Sequence, residues 1–476
     1  MTSTLPAIEP LPWTQAIHQP AIEVPLTPLP MLAGALPSGL RGSLYRNGPA
    51  TLERGGEPVG HWFDGDGGIL AVHFTDAGAT ATYRYVQTTS YQAEVRAGQY
   101  LYGSYDQLPK GTFWQRWQRS LKNVANTSVL ALPDRLLALW EGGPPYALTL
   151  DTLETLGLNP LAGLKNLPFS AHPKVDAPTG EIFNFGVALG AQAQLHLYRS
   201  DRRGQVLRHE RVSLPGFPLL HDFVLAGRYL VFYLAPVRIQ LLPVLLQQRT
   251  FSQAAQWLPQ LGGEILICDR DSLQLVQRIP TDSWFHWHWG NGYELPDGTL
   301  VLHYARYEDF QTNQRLKEVA TGTIHTTALA TLWELRLNPL AGTILQQACV
   351  LDLSCEFPVV SPHQVGQPHR YTYLNIHRGQ TDPKLTILDG LACFDHQTGT
   401  LTTAPMSQFC YPSEPIYAPD PTQPDRGWIL SIIYDGDRQV SECWIYDSDR
   451  LDQEPVCRLG LPHAIPIGFH GTWKSA

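Results

Sequence analysis

The feature that most constrains the fold is a hairpin pattern that recurs seven times along the 476 residues. Each copy has two short apolar runs on either side of a turn rich in Asp, Asn or Gly, which is typical of a β-hairpin. The copies lie at residues 69–86, 147–157, 195–212, 265–279, 332–351, 391–403 and 443–459. This repetition favours an all-β fold, a seven-bladed β-propeller, while a β-sandwich with additional hairpins is the alternative.

The pattern predicts a single propeller domain over 1–476, with residues 1–30 as an N-terminal extension. Two segments interrupt the repeats, and we expect them to form a cap over one face. Residues 100–125 carry aromatic and basic residues at roughly helical spacing, and residues 234–261 are strongly apolar but contain two prolines. Two interpretations of 234–261 stay open: an amphipathic helix in a membrane interface, or a helix that buries its apolar face against the propeller.

Composition and charge argue against several classes of protein. The formal net charge is −9 and no stretch is rich in Lys and Arg, which disfavours a nucleic-acid ligand. No signal peptide and no uncharged apolar stretch long enough to span a bilayer are visible. The seven cysteines are scattered without a Cys-x-x-Cys pair, as expected for reduced thiols. The sequence therefore predicts a cytoplasmic protein without a cysteine metal site and leaves the oligomeric state open.

Four of the 17 histidines share a position relative to the repeat, about nine to fifteen residues after a hairpin. They are His172, His221, His288 and His470. In a propeller, the strand after each outer hairpin becomes the innermost strand of the next blade, so four such side chains would meet in the central channel. Neutral imidazoles bind Fe, Zn, Cu and Ni, so the pattern predicts a metal centre without identifying the metal. His286 and His363 lie at similar positions relative to the repeat, so spacing alone does not exclude them as metal ligands.

Three glutamates lie in apolar stretches that also contain proline or glycine, near the ends of predicted strands. They are Glu141, Glu356 and Glu414. A buried carboxylate is costly unless it has a partner, and metal-bound histidines usually donate their second ring N–H to an oxygen acceptor. We therefore expect these glutamates to orient the histidines; surface positions at strand ends are the alternative.

The motifs around these residues resemble the carotenoid cleavage oxygenase family, in particular its cyanobacterial apocarotenoid oxygenases. The matching pieces are 44–50, 61–70, 125–130, 136–148, 170–174, 221–223, 288–294, 355–358, 411–416 and 468–473. The resemblance implies a seven-bladed propeller with Fe(II) on its axis, bound by the four histidines with the three glutamates behind them. Asn291 and Glu294 are in register with His288 in the family's H-x-x-N-x-x-E piece, which sets His286 aside.

The resemblance also implies a reaction. O2 would cleave a C=C bond of an apocarotenoid or carotenoid polyene into two carbonyl products, with retinal-type aldehydes among them. Thr127 matches a residue that partly screens one open iron position. Trp140 and Trp287 would line a substrate tunnel, or else be ordinary core aromatics.

An apolar substrate stored in membranes implies peripheral contact with a membrane surface. We expect 234–261, with 100–125, to form that contact. The leucines that we expect to make the contact are Leu241, Leu242, Leu245 and Leu246.

Other functions stay open. A phenolic-alkene cleaver of the same family would need groups that deprotonate its substrate, and Tyr102 and Lys110 are the candidates. Retinoid isomerisation would use the same metal centre. A non-catalytic propeller that binds a ligand or partner would need no metal. A zinc hydrolase is disfavoured because zinc sites rarely use four histidines.

Overall fold

The computed structural model describes residues 11–159, 161–164, 167–379 and 381–476. Within these ranges the regular structure is mostly β-strand. The α-helices are α1 (Gln15–His18), α2 (Thr89–Ala97), α3 (Phe113–Trp117), α4 (Leu241–Leu245), α5 (Phe251–Ala254) and α6 (Gln311–Val319). Single 3-10 turns lie at Trp62–Asp64, Pro259–Leu261 and Pro362–Gln364.

The strands run through the whole described chain. In order they are β1 (Val24–Pro28), β2 (Met31–Gly34), β3 (Gly42–Thr51), β4 (Glu53–Arg54), β5 (Glu57–Pro58), β6 (Asp66–Thr75), β7 (Gly78–Tyr85), β8 (Ser128–Ala131), β9 (Leu136–Leu139), β10 (Tyr146–Leu148), β11 (Thr155–Leu158), β12 (Lys174–Val175), β13 (Ile182–Ala188), β14 (Gln194–Ser200), β15 (Val206–Ser213), β16 (Val224–Ala226), β17 (Tyr229–Leu234) and β18 (Val237–Ile239). They continue with β19 (Ala255–Trp257), β20 (Gly263–Asp269), β21 (Leu275–Thr281), β22 (Trp289–Glu294), β23 (Leu300–Arg306), β24 (Thr331–Asn338), β25 (Thr343–Leu351), β26 (Cys355–Val359), β27 (Tyr371–Ile376), β28 (Gly390–Asp395), β29 (Thr400–Thr403), β30 (Cys410–Pro412), β31 (Ile416–Asp420), β32 (Gln423–Asp435), β33 (Val440–Asp447), β34 (Cys457–Gly460) and β35 (Gly471–Ser475).

All seven predicted hairpins are confirmed as antiparallel pairs. They are β6–β7, β10–β11, β14–β15, β20–β21, β24–β25, β28–β29 and β33–β34. The β24–β25 turn shows why the turn residues matter. Asn338 Oδ1 accepts hydrogen bonds from the amides of Leu340 and Ala341, and Gly342 adopts φ +67°, a conformation that favours glycine.

The sheets are mainly antiparallel and adjoin one another in a propeller-like arrangement, so the predicted all-β fold is confirmed. Their strand orders are β1-β7-β6-β3-β35, β11-β10-β9-β8, β12-β13-β14-β15, β21-β20-β17-β16-β22-β23-β24-β25, β26-β27-β28-β29 and β2-β34-β33-β32-β30, with β31 also on β32. The eight-stranded sheet combines two four-stranded units through one parallel pair, Ala226 with Gly292. The sequence predicted separate four-stranded blades. These two units form one sheet because their inner strands, β16 and β22, approach closely enough to hydrogen-bond. Inner strands adjoin elsewhere too: β35 contacts β8 and β31, and β22 contacts β26.

Much of the predicted N-terminal extension is part of the fold. Residues 1–10 lie outside the described ranges, but β1 pairs with β7 as the outer strand of the first sheet. Trp13 is fully buried, and its indole N–H donates to the carbonyl oxygen of Leu385. The segment from residue 11 to 28 is therefore packed against the sheets.

The two insertions contain less helix than their composition predicts. In 100–125 the helical residues are the five of α3, and 234–261 divides into β18, α4, α5, β19 and a 3-10 turn. Pro236 and Pro243 lack the amide hydrogen that a continuous helix needs, and Gln247 adopts φ +53° just after α4. Both interpretations of 234–261 assumed a single helix, and this is wrong because the segment contains two short helices and two strands; α4 has no buried residue, whereas α5 buries Ser252 and Ala254.

A buried ionic cluster attaches the first insertion to the first sheet. Lys122 Nζ lies 2.8 Å from Asp66 Oδ1 and 2.9 Å from Glu94 Oε2, and all three side chains are at most 2 % exposed. Arg54 adds a contact of 2.6 Å to the other oxygen of Asp66. Such a cluster is costly to break because each remaining charge is left without a partner.

A single carboxylate fixes the loop after α6. Glu318 accepts hydrogen bonds from the amides of His325 and Thr326, from the Thr326 hydroxyl and from the Gln314 side chain, at 2.7–3.0 Å. Burial raises the pKa of Glu318, but these hydrogen bonds outweigh it and hold the pKa at about 2.

Two further findings bear on the sequence predictions. All seven cysteines are free thiols. Within the described residues, no helix combines the length and the apolar character that crossing a bilayer requires.

Candidate metal centre

The four predicted histidines come together. One ring nitrogen from each lies within 4.8 Å of one from every other. The Nε2 atoms of His172 and His221 are 2.9 Å apart, and those of His288 and His470 are 3.1 Å apart. The four side chains are only 7–11 % exposed. Four imidazoles thus converge on one small, buried volume.

The sequence pattern predicted that the histidines lie within the innermost strands. In the structure they lie just before these strands. His172 precedes β12 by two residues, His221 precedes β16 by three, and His288 and His470 directly precede β22 and β35. These residues have no strand conformation, so their side chains are not bound to the alternating directions of a strand. They point instead towards a common centre.

Each of the three predicted glutamates lies beside a histidine. Glu356 Oε2 is 2.6 Å from His288 Nδ1, Glu414 Oε1 is 2.8 Å from His470 Nδ1, and Glu141 Oε1 is 3.2 Å from His221 Nδ1. In every pair the carboxylate occupies the Nδ1 side. When a carboxylate accepts the Nδ1 proton, Nε2 presents its lone pair to the centre.

The three pairs differ in their environment. The side chains of Glu356 and Glu414 are 8 % and 10 % exposed, whereas that of Glu141 is 37 % exposed. Glu356 also accepts from the amide of Phe357 at 2.7 Å and from the Tyr307 hydroxyl at 3.0 Å. The Glu356 carboxylate is therefore the most firmly held of the three.

The pKa shifts of the histidines follow from burial and charge. Burial, with the other imidazoles, lowers the pKa of His172 far below its ordinary value. Burial also lowers the pKa of His470, and Glu414 only partly offsets it. For His288 burial acts in the same direction, but Glu356 outweighs it and the pKa is raised. The neutral form that His172 and His470 favour is the form that binds metals.

Sequence reasoning missed several supporting residues. Asp222, next to His221, accepts from the backbone amide of Trp289 at 2.8 Å and pairs with Lys174 Nζ at 2.9 Å. Burial raises the pKa of Asp222, but Lys174 outweighs this effect, so the pKa is lowered overall. The H-D-F motif contains the signal for this residue, because a carboxylate beside a predicted metal ligand in a buried stretch needs a partner.

Arg46 is a second residue of this kind. Its guanidinium donates to the carbonyl oxygens of Glu414 and Phe469 at 2.8 Å and 2.9 Å, and it lies 3.8 Å from Glu414 Oε2. It thereby connects β3 to Phe469, which precedes His470, and to Glu414, which accepts from the His470 ring. The L-Y-R-N-G-P piece of the sequence contains it, but nothing in that piece indicates what it contacts.

A cavity of about 1020 Å³ opens beside the histidines. Its wall includes His221, His288 and His470, together with apolar side chains that include Leu316 and Val319 of α6 and Trp62 and Phe63 of the 3-10 turn. Thr127 and Trp287 also belong to the wall. Thr127 accepts from the backbone amide of His470, and the indole N–H of Trp287 donates to the Thr312 hydroxyl at 2.9 Å.

Other residues singled out in the sequence lie elsewhere. His286 is 4 % exposed among Tyr233, Trp284 and Trp289, and His363 is on the surface. Trp140 does not belong to the described wall of the cavity; its ring lies against Gly142 and Gly143, where a Cβ would come within about 3 Å.

The H-x-x-N-x-x-E piece has structural roles. Asn291 donates to the carbonyl oxygens of Gln364 and Gln367 and accepts from the Gly366 amide, so it fixes that loop. Glu294 pairs with Arg228 at 3.0 Å.

Comparisons with known proteins agree with this geometry. The family model of RPE65, the retinal pigment epithelial membrane protein, matches residues 17–475. Apocarotenoid-15,15'-oxygenase from Synechocystis sp. is 33 % identical over 453 residues, which cover 92 % of this chain and 91 % of that protein. Isoeugenol monooxygenase from Pseudomonas putida is 26 % identical over 467 residues, which cover 93 % and 94 %.

A solved structure extends the likeness to the fold. Cobalt-substituted apocarotenoid oxygenase from Synechocystis matches with a TM-score of 0.87 at 31 % identity, and the match covers 98 % of both chains. Because the family model and this structure both span nearly the whole length, the chain belongs to the family of RPE65 and the carotenoid oxygenases.

Proposed function

We propose that this protein is an Fe(II)-dependent dioxygenase that cleaves a C=C bond of an apocarotenoid or carotenoid polyene into two carbonyl products, including retinal-type aldehydes. One observation carries the proposal: a buried cluster of four imidazoles forms part of the wall of a largely apolar cavity of about 1020 Å³. Such a cavity suits a long hydrocarbon, and ligand sites usually combine apolar walls with a few polar groups.

The donor set supports iron as the metal. With metal–nitrogen bonds of about 2.1 Å, ligands at right angles have nitrogen atoms about 3.0 Å apart, and tetrahedral ligands about 3.4 Å. The two Nε2 pairs, at 2.9 Å and 3.1 Å, match the first spacing. His172, His221, His288 and His470 would hold the metal, and ligation at right angles would leave positions open, whereas a structural zinc site is closed by its four ligands.

The protein residues would bind and orient the reactants. Bound Fe(II) would supply the activation of O2 that allows oxygen to be inserted into the alkene. Glu356, Glu414 and Glu141 would hold the histidine protons on Nδ1 and fix the ring orientations. Thr127, which lies in the cavity wall and accepts from the His470 amide through its backbone carbonyl, would limit access to one side of the metal.

The described strands also support the seven-bladed interpretation. Division of the eight-stranded sheet at the single Ala226–Gly292 pair gives seven units of four or more strands, each containing one predicted hairpin. We propose that these units are the blades of one propeller domain, with the four histidines at its axis.

A phenolic substrate is the second candidate, since isoeugenol monooxygenase is among the relatives. The residues expected to deprotonate a phenol do not favour it. Lys110 pairs with Glu57, and Tyr102 lies beside the Arg119 guanidinium, 5.9 Å from its ring centre. Neither belongs to the described cavity wall, whose buried tyrosine, Tyr307, already donates to Glu356.

Peripheral contact with a membrane is part of the proposal. Leu242, Leu245 and Leu246 are 68 %, 61 % and 47 % exposed, and Trp114 and Trp117 of the other insertion are 73 % and 55 % exposed. The two segments touch, because the Gln247 side chain donates to the carbonyl oxygen of Arg116 at 3.1 Å. Adjacent exposed aromatic and aliphatic side chains are typical of an interfacial anchor.

The direct test is anaerobic loading with Fe(II), followed by product analysis under isotopically labelled O2. An apocarotenal and a hydroxystilbene serve as the two substrates. We expect the apocarotenal to give two carbonyl products that both contain label, and His470→Ala to abolish both. His286→Phe is the matched control, because neither ring nitrogen of His286 has a partner.

Several results would contradict the proposal. Cleavage of the hydroxystilbene alone would favour the phenolic alternative, and an isomerised product without label would indicate a retinoid isomerase. Protein that acquires no iron, and whose ligand binding tolerates all four histidine substitutions, would point to a non-catalytic propeller.

A further inference from the structure

A second group of histidines lies between two neighbouring sheets. His303 is in β23, His369 precedes β27 and His396 follows β28. One ring nitrogen from each lies within 4.8 Å of one from both others. The rings of His303 and His396 are centred 4.0 Å apart, and that of His369 lies 5.0 Å and 4.9 Å from these two.

His303 is the residue that points to a ligand. It is 1 % exposed, its Nε2 lies 3.1 Å from Oε2 of Glu334, and its Nδ1 has no hydrogen-bond partner. A buried polar atom without a partner is rare in native proteins and often marks an ion or a water molecule. His303 thus has one ring nitrogen on a carboxylate and leaves the other for a ligand. This arrangement is typical of a histidine that binds a metal.

The other two rings can also offer a nitrogen. Both Nε2 atoms face the buried hydroxyl of Thr372, at 3.4 Å for His369 and 2.8 Å for His396. The Nδ1 of His369 lies 3.0 Å from the Asn291 amide nitrogen, but the two hydrogens of that amide already have carbonyl acceptors at 2.8 Å and 3.0 Å. With the ring proton on Nδ1 and the Gln367 carbonyl oxygen as its acceptor, the Nε2 lone pair of His369 is available to a metal.

We propose that His303, His369 and His396 form a second metal site, distinct from the four-histidine centre, that binds a divalent ion such as Zn²⁺. Three imidazole nitrogens match the three-histidine sets that bind zinc, in which a water molecule takes the fourth position. Glu334 holds the His303 ring, as the glutamates hold the rings of the other centre. His369 and His396 are only partly buried, so an ion can reach the site from solvent.

The site connects two sheets that meet at the first centre. His303 belongs to the unit that begins with β22, directly after His288, whereas His369 and His396 belong to the unit whose inner strand β26 contains Glu356. Metal bound between them restrains the two strands that bring His288 and Glu356 together. Binding to the native state alone also raises Tm.

Metal counting tests the proposal. Chelator-treated protein is dialysed against Zn²⁺, and the bound ions per chain are measured by mass spectrometry. We expect two ions for the wild type and one for His396→Ala. His196→Ala is the matched control, because it removes a histidine from another stacked pair, with His209, and should leave two ions bound.

The His470→Ala variant separates the two sites. It should lose the ion of the first centre and keep one ion, and Zn²⁺ should still raise its Tm. In the double variant His470→Ala/His396→Ala, Zn²⁺ should leave Tm unchanged. One ion in the wild type and none in His470→Ala would overturn the second site, as would equal counts in His396→Ala and the wild type. If His396→Ala does not fold, Co²⁺ titration of His470→Ala replaces it. The strong visible absorption of four-coordinate cobalt would support the site, and its absence would overturn it.

Discussion

Glu356→Gln removes the negative charge next to His288 and preserves the shape of the side chain. Oε2 accepts from His288 Nδ1 at 2.6 Å and from the Phe357 amide at 2.7 Å, and Oε1 accepts from the Tyr307 hydroxyl at 3.0 Å. A glutamine with its oxygen at the Oε2 position keeps the first two bonds, and its amide can donate to the Tyr307 oxygen. The substitution therefore isolates the effect of the charge.

The expected loss follows from these contacts. Loss of the carboxylate partner of a metal-binding histidine costs about 10- to 100-fold in metal affinity. Because only charge is lost, we expect Glu356→Gln to weaken Fe(II) binding about 10-fold, or about 1.4 kcal/mol. Glu356→Leu removes all three bonds and should approach about 100-fold. Glu141 is 37 % exposed and lies 3.2 Å from His221, so water competes and Glu141→Gln should cost less than about threefold.

Anaerobic competition for Fe(II) with a chromophoric chelator measures these affinities. Glu264→Gln is the control, since it breaks an ion pair with Arg278 that does not involve the centre. Equal losses in the Glu356 and Glu141 variants, or wild-type affinity in Glu356→Gln, would refute the reasoning.

Three further predictions test the buried ionic cluster, the loss of stability at acidic pH and the binding of the protein to membranes. Lys122→Met leaves the buried Glu94 without an ion-pair partner and Asp66 with Arg54 alone, so urea denaturation should show a loss of about 3–5 kcal/mol; a loss below about 1 kcal/mol would contradict a buried ionic cluster. The pKa of Glu318, about 2, lies below its ordinary value of 4.5, so its contribution is complete above pH 4.5 and is lost as pH falls towards 2. In Glu318→Gln the dependence of Tm on pH should therefore flatten in that window, and an unchanged slope would count against this account. Combined Leu242→Gln and Leu245→Gln should reduce binding to phosphatidylcholine–phosphatidylglycerol vesicles at least about 10-fold in a flotation assay. Leu340→Gln, 71 % exposed elsewhere, should bind like the wild type, and equal binding by all variants would remove the anchor.

The hairpins and the histidines were predictable from sequence for different reasons. A hairpin depends on residues close together in the chain, such as Asn338 and Gly342 in one turn, so a local pattern is enough. His221 and His470 lie at similar distances after a hairpin because in every unit the chain runs from the outer hairpin to the inner strand of the next unit. That common path places them at one point, although it does not reveal that they lie just before the strands.

The remaining features depend on contacts between distant segments. His303, His369 and His396 come from a strand, a loop and a strand end, so no common spacing connects them. The insertion at 234–261 looked helical because its composition is apolar, but its prolines and the β18–β19 pair determine its path. Arg46 reaches residues 368 and 423 positions away in the chain, and no local pattern contains that information.

The first sheet is closed by β35, which pairs with β3 from the opposite end of the chain. His470 directly precedes β35, so the fourth imidazole arrives with the strand that completes this sheet. A chain in which β35 has not paired with β3 has three of the four rings at the centre and an unpaired edge on β3. Assembly of the four-imidazole cluster is thus coupled to closure of this sheet, and a metal that needs all four rings would bind the closed sheet in preference to the open one.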